Sequence, residues 1–179
     1  MFDMGPRTGK LKRNGITLQK PTLAHAAGVH ALVRECAPLD ENSLYFYLIQ
    51  CDQFRDTCVL AEREGEVQGW LSAHLPPAEP ESVFVWQVAV GEAARGAGLG
   101  SAMLEELVRR PECNGVRHLR TTITPDNDAS WALFRRFADS CGAEIADEPH
   151  YLEEPHFDGL HDTEHMVTLT FPEPVRLAA

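Results

Sequence analysis

The stretch SVFVWQVAVGEAARGAGLGS, residues 82–101, constrains the fold of this chain more than any other. Ser82–Val90 is rich in β-branched and aromatic residues, and its near-continuous apolarity predicts a central strand covered on both faces. Residues 98–110 (GLGSAMLEELVRR) carry the apolar spacing of an amphipathic helix. Between the two, Gly96, Gly98 and Gly100 stand at alternate positions. Such a turn reaches backbone conformations closed to residues with a Cβ. It points consecutive N–H groups at one spot, at the positive end of a helix. That is an anion cradle suited to phosphate; a tight packing turn is the alternative. Two phosphate motifs are excluded directly. No lysine follows these glycines as a P-loop requires, and the pattern is not G-x-G-x-x-G after a first strand.

The remaining elements follow from periodicity and turn residues. Residues 1–14 are polar, basic and aperiodic and are expected to form a tail. Ile16–Gln19 reads as a short strand, and Pro21 and Thr22 open a helix with Leu23, Ala26, Ala27, His30 and Val33 on one face. Asp40, Glu41, Asn42 and Ser43 are capping residues for a second helix, with Leu44, Tyr47, Leu48 and Cys51 on its apolar face. Residues 57–62 and 67–75 flank a polar link containing Gly65, which predicts a β-hairpin. Residues 119–124 read as a strand, residues 126–141 as a helix, and residues 165–171 as a final strand within an acidic, histidine-containing region. The order β-α-α-β-β-β-α-β-α-β predicts an α/β fold, with one domain over 15–171 and tails at 1–14 and 172–179.

The formal charge of −11 is uneven. Residues 1–20 hold five of the 16 Lys/Arg and one of the 27 Asp/Glu, so residues 21–179 carry 11 bases against 26 acids, a net −15. A body this acidic repels phosphate backbones, which argues against a nucleic-acid partner, and it suits a cationic ligand. Acidic surfaces also serve solubility alone. No run approaches the ~20 apolar residues of a membrane span, so the expectation is a soluble, cytoplasmic protein with no membrane partner. Cys36, Cys51, Cys58, Cys113 and Cys141 are an odd set without a CxxC pair. They read as reduced and structural, and none stands in a Cys/His nucleophile arrangement.

Arg95-x-x-Gly98-x-Gly100 after a strand ending Val88-Ala89-Val90, with Asn127 opening the next helix, resembles the acetyl-CoA signature of the GCN5-related N-acetyltransferases. The resemblance covers residues 15–171 and implies that family's fold, a mixed, mostly antiparallel central sheet flanked by helices. It implies acetyl-CoA as co-substrate: pyrophosphate on the loop of Arg95, Gly96, Gly98, Gly100 and Ser101, pantetheine along Val88 and Val90, and Asn127 on the pantetheine side. Further motifs narrow it. Asp40-x-Asn42-Ser43-x-Tyr45, the strand FVWQVAV over 84–90, TPDN-x-ASWALF over 124–134 and His161-x-x-Glu164-His165 are similar to the diaminobutyrate acetyltransferases of ectoine biosynthesis. Those enzymes acetylate the γ-amine of L-2,4-diaminobutyrate. The resemblance also implies a homodimer. One departure stands out: the helix position that often carries a general-acid tyrosine in the wider family is Phe134, which cannot protonate a leaving thiolate.

Attack on a thioester needs a neutral amine, and deprotonating an alkylammonium of pKa ~10.4 at pH 7 costs roughly 4–5 kcal/mol. Asp40, Glu41, His161 and Glu164 carry suitable proton acceptors. Glu164 ranks first because a carboxylate both pairs with an ammonium and takes its proton, His161 second, and Tyr45 last. A backbone N–H near Val88 is expected to stabilise the oxyanion, worth ~2.7–4 kcal/mol. Asp40 and Glu164 would hold the cationic amines, with Tyr45 and Trp86 as aromatic walls worth ~0.5–2 kcal/mol through cation–π contact. Core packing is the alternative for both aromatics, and a helix cap for Asp40. His156, Asp158, His161, Glu164 and His165 include metal-ligand types but lack any metal-site spacing, and they read as a solvated acidic loop with no metal. Two other functions fit the same residues: acetylation of another small amine, polyamine or protein N-terminus, and a non-catalytic acyl-CoA-binding module.

Overall fold

The computed structural model describes residues 11–13, 15–36, 39 and 41–176. Its elements are β1 (Leu11–Arg13), β2 (Ile16–Gln19), α1 (Ala26–Glu35), α2 (Leu44–Asp52), β3 (Val59–Arg63), β4 (Glu66–His74), β5 (Ser82–Val90), α3 (Leu99–Val108), β6 (His118–Ile123), α4 (Asp128–Cys141), β7 (Glu144–Tyr151), α5 (Glu153–Phe157) and β8 (Glu164–Thr170). The fold is α/β with a mixed sheet: β5 and β6 pair in parallel, whereas β1–β2, β2–β3, β3–β4, β6–β8 and β7–β8 pair antiparallel. The chain groups into two compact units, and β5 contributes to both.

The first unit lies within Met1–His74, Val85–Asn114 and Arg176–Ala179. Its strands follow the order β1-β2-β3-β4, then Val85–Val90 of β5. The hairpin joining β3 and β4 turns at Glu64 (φ 53°) and Gly65 (φ 86°), the pair of positive φ values that matches strand twist. Ser43 caps α2 by accepting the Phe46 N–H at 3.3 Å. Helices α1 and α2 bury Val29, Val33, Tyr47 and Cys51 with Leu60, Trp70 and Ala89 of the sheet. α3 contributes Ala102, Met103, Leu104 and Leu107 to the buried set.

The second unit comprises Leu75–Phe84 and Gly115–Val175. Here β5 runs parallel to β6 over Ser82–Phe84, β6 pairs with β8 along its whole length, and β7 lies beyond β8. Val83, Leu119, Ile123, Phe134, Phe137, Val167 and Leu169 are buried. Asn127 caps α4, and Gly142 ends it with a left-handed φ of 67°.

Several sequence expectations change. β5 is not covered on both faces: Val83, Val85, Gln87 and Ala89 are buried, whereas Phe84, Val88 and Val90 are half-buried and Trp86 is exposed. Period-two alternation was masked because both faces carry apolar side chains. α1 begins at Ala26 after a 3-10 turn at Leu23–His25, and its buried face is Ala26, Val29, Leu32 and Val33, leaving Leu23 and Ala27 outside. Leu11–Arg13, within the expected tail, pairs with β2. At the other end, Val175 is buried and its N–H donates to the Val116 carbonyl at 2.8 Å. β7 and α5 escaped notice because EIADEPHY is exposed at every position and α5 buries nothing, so neither has an apolar period to read.

Candidate functional site

β5 ends at Val90, and the chain makes a 3-10 turn at Glu92–Ala94 before Gly98 caps α3. Gly96 and Gly98 take φ of 75° and 74°. A Cβ at either would meet nothing within 4 Å, whereas one at Gly69 would lie 3.0–3.2 Å from Leu99, Ala61 and Met103. Gly96 and Gly98 are therefore required by backbone conformation and face open space, which sets aside the tight packing turn. The first bond inside α3 runs from the Ala102 N–H to the Gly98 carbonyl at 3.0 Å, and the N–H groups before it have no intrahelical acceptor. The Ser101 hydroxyl is buried with no partner among the described residues. Arg95 donates from Nε to the Val90 carbonyl at 3.1 Å, and the Cys36 thiol donates to the same oxygen at 3.4 Å, so the start of the loop is tied to the end of β5. Orphaned donors behind two side-chain-free positions fit a polyphosphate.

In the same unit, Trp86 is 52% exposed and Tyr45 71% exposed, which rules out core packing for both. Trp86 projects from the half-open face of β5, the face shared with Val88 and Val90. Its ring lies 5.3 Å from that of Phe46 and 6.4 Å from that of His74. Glu41 pairs with His30 at 3.4 Å and Arg34 at 3.2 Å, so it serves a surface ion pair. Asp40 lies outside the described residues. Three polar residues here carried no sequence signal: His74, Gln87 and Tyr47. Burial pushes the His74 pKa down. The buried Tyr47 hydroxyl donates to Gln87 Oε1 at 3.3 Å; the periodicity that places Tyr47 on the apolar face of α2 cannot distinguish a buried hydroxyl from a buried ring.

In the second unit, Asn127 Oδ1 accepts the Ser130 N–H at 3.0 Å, leaving its amide N–H groups to other partners. Trp131 donates from Nε1 to the Thr124 carbonyl at 3.1 Å, which joins the end of β6 to α4. Phe134 is buried. His161 donates from Nδ1 to the Asp162 carbonyl at 2.8 Å, and its Nε2 lies 3.9 Å from Glu164 Oε1. His165 pairs instead with Asp147 at 2.8 Å, and His156 Nδ1 accepts the Leu152 N–H at 2.7 Å. Among the described residues no three His, Cys, Asp or Glu side chains group as a metal site.

Cys51, Cys58 and Cys113 are thiols rather than thiolates. Burial pushes Cys51 up to about 11 and both Cys58 and Cys113 up to about 12. Such groups are poor nucleophiles at neutral pH.

The chain is similar to several known proteins. An L-2,4-diaminobutyric acid acetyltransferase of Chromohalobacter salexigens is 45% identical over 161 residues, 89% of this chain and 83% of that protein. One of Halomonas elongata is 45% identical over 153 residues, 85% of this chain and 79% of its own. Among solved structures, diaminobutyrate acetyltransferase EctA from Paenibacillus lautus, in complex with its substrate L-2,4-diaminobutyric acid and coenzyme A, is 34% identical; the match covers 96% of this chain and 99% of that one, with a TM-score of 0.83. Residues 26–138, which span the β5–α3 loop and Asn127, match the profile of the acetyltransferase (GNAT) family, and the chain belongs to that family.

Proposed function

We propose that this protein moves the acetyl group of acetyl-CoA to the γ-amine of L-2,4-diaminobutyrate, giving N4-acetyl-L-2,4-diaminobutyrate, a step of ectoine biosynthesis. The observation that carries the reading is the likeness, along almost the whole chain, to the enzyme solved with diaminobutyrate and coenzyme A. Acetyl-CoA supplies an activated thioester. The residues of this chain do the rest. N–H groups of Gly96, Gly98, Gly100 and Ser101 at the start of α3 bind pyrophosphate, with Arg95 bracing the loop. Val88 and Val90 pair with pantetheine, Asn127 contributes an amide donor, and the Val88 N–H polarises the thioester oxygen. Trp86 and Tyr45 present aromatic surface to the amine, and Asp40 and Glu164 supply charge. Glu164 takes the amine proton, assisted by His161, whose Nε2 faces it. Transfer is direct, since the cysteines with raised pKa are not thiolates. No described helix is long and apolar enough to cross a membrane, and a cytoplasmic homodimer is the setting that the family resemblance implies.

Mass spectrometry of products after incubation with acetyl-CoA and diaminobutyrate, ornithine, lysine or spermidine tests the reading. Diaminobutyrate should gain one acetyl group fastest, on N4. Preference for spermidine would favour the polyamine alternative, and no CoA release with any amine would favour a binding module.

A further inference from the structure

We propose that Tyr47 is a positioning residue for the amine site, its buried hydroxyl locking α2, which carries Tyr45, to the segment of β5 that presents Trp86 and Val88. The inference rests on the acetyltransferase reading of those residues. Tyr47 is 0% exposed, and its hydroxyl donates to Gln87 Oε1 at 3.3 Å. Gln87 is itself buried and sits between Trp86 and Val88. Alternate side chains of a strand point to opposite faces, so holding Gln87 from behind fixes the backbone that presents Trp86 and Val88 in front. The Tyr47 ring meets Phe46 edge-on at 5.2 Å, and Phe46 in turn lies 5.3 Å from Trp86, so the hydrogen bond and the ring stack join the same two elements. The Tyr47 ring also lies 5.5 Å from that of His30. Burial keeps the hydroxyl protonated and hence a donor. A buried polar pair selects one register between the helix and the strand, which apolar contacts alone leave looser.

Tyr47→Phe removes the donor and keeps the ring, so the variant should fold. The amine that the wild type acetylates fastest is used throughout; a preference for some amine other than diaminobutyrate would count against the proposed function while leaving the Tyr47 comparison intact. Tyr47→Phe should lower kcat/KM for that amine about five- to tenfold, with the KM for acetyl-CoA unchanged. Gln87→Leu should lower it as well, and the double variant should fall no further than the worse single one, because the Tyr47–Gln87 bond is already lost in either. The proposal is overturned if Tyr47→Phe keeps wild-type kinetics for the amine, if it raises both KM values together with a lowered Tm, or if the two losses multiply.

Discussion

Gly98→Ala separates the two things that a glycine does in the β5–α3 loop. Its φ of 74° and ψ of 20° lie in the left-handed region, where a residue with a Cβ pays about 1–2 kcal/mol. Nothing in the protein lies within 4 Å of the Cβ position, so no packing clash adds to that. For a chain of this size the Tm should fall by about 2–8 °C. Gly15, in the turn between β1 and β2, is the matched control: its φ is 77° and its Cβ position is equally empty. Gly15→Ala should lose the same stability. Only Gly98→Ala places a methyl group where phosphate approaches the N–H groups of α3. Losing one charge-assisted hydrogen bond there costs about 1.5–3 kcal/mol, which weakens coenzyme A binding about ten- to hundredfold. Titration calorimetry with coenzyme A, alongside thermal melts of both variants, gives the two quantities separately. A folded Gly98→Ala protein with wild-type affinity would refute the cradle, as would equal affinity losses in both variants.

Glu164→Gln and His161→Ala should depress kcat for the amine; if Glu164 collects the proton, its variant recovers partly at high pH, where free amine is abundant, and a pH profile that stays parallel to wild type would send the proton to bulk water instead. Arg110 is buried, and its Nη1 donates to the carbonyls of Arg55 at 3.2 Å and Asp56 at 3.0 Å and also to that of Cys58. Arg110→Met should therefore destabilise by about 2–4 kcal/mol in urea unfolding without changing coenzyme affinity. Because burial lowers the folded-state pKa of His74, the unfolded chain takes up that proton first as pH falls. This contribution is complete above the ordinary pKa of about 6.5 and is lost below it, so His74→Gln should flatten the decline in unfolding free energy between about pH 7.5 and 5.5.

The strand, the glycine loop and the helix at residues 82–110 were legible in the sequence because each has a local cause: β-branched and apolar density, residues free of Cβ strain, and a 3.6-residue apolar period. The acetyl-CoA signature and Asn127 were legible for the same reason, since a helix N-terminus that binds phosphate is built from consecutive residues. Trp86 and Tyr45 were legible only as residue types; whether they pack in the core waited on their exposure, which depends on what the rest of the chain covers. β7 was invisible because its strand state comes from pairing with β8 and not from any pattern of its own. Likewise, the facing of His161 and Glu164 in one unit, and the Tyr47–Gln87 bond across 40 residues in the other, are set by which segments the fold brings together. Composition and periodicity encode burial and local backbone preference; the partner of a buried hydroxyl or a carboxylate is chosen by tertiary packing, because its hydrogen bond is made at a distance in sequence that no local signal reports.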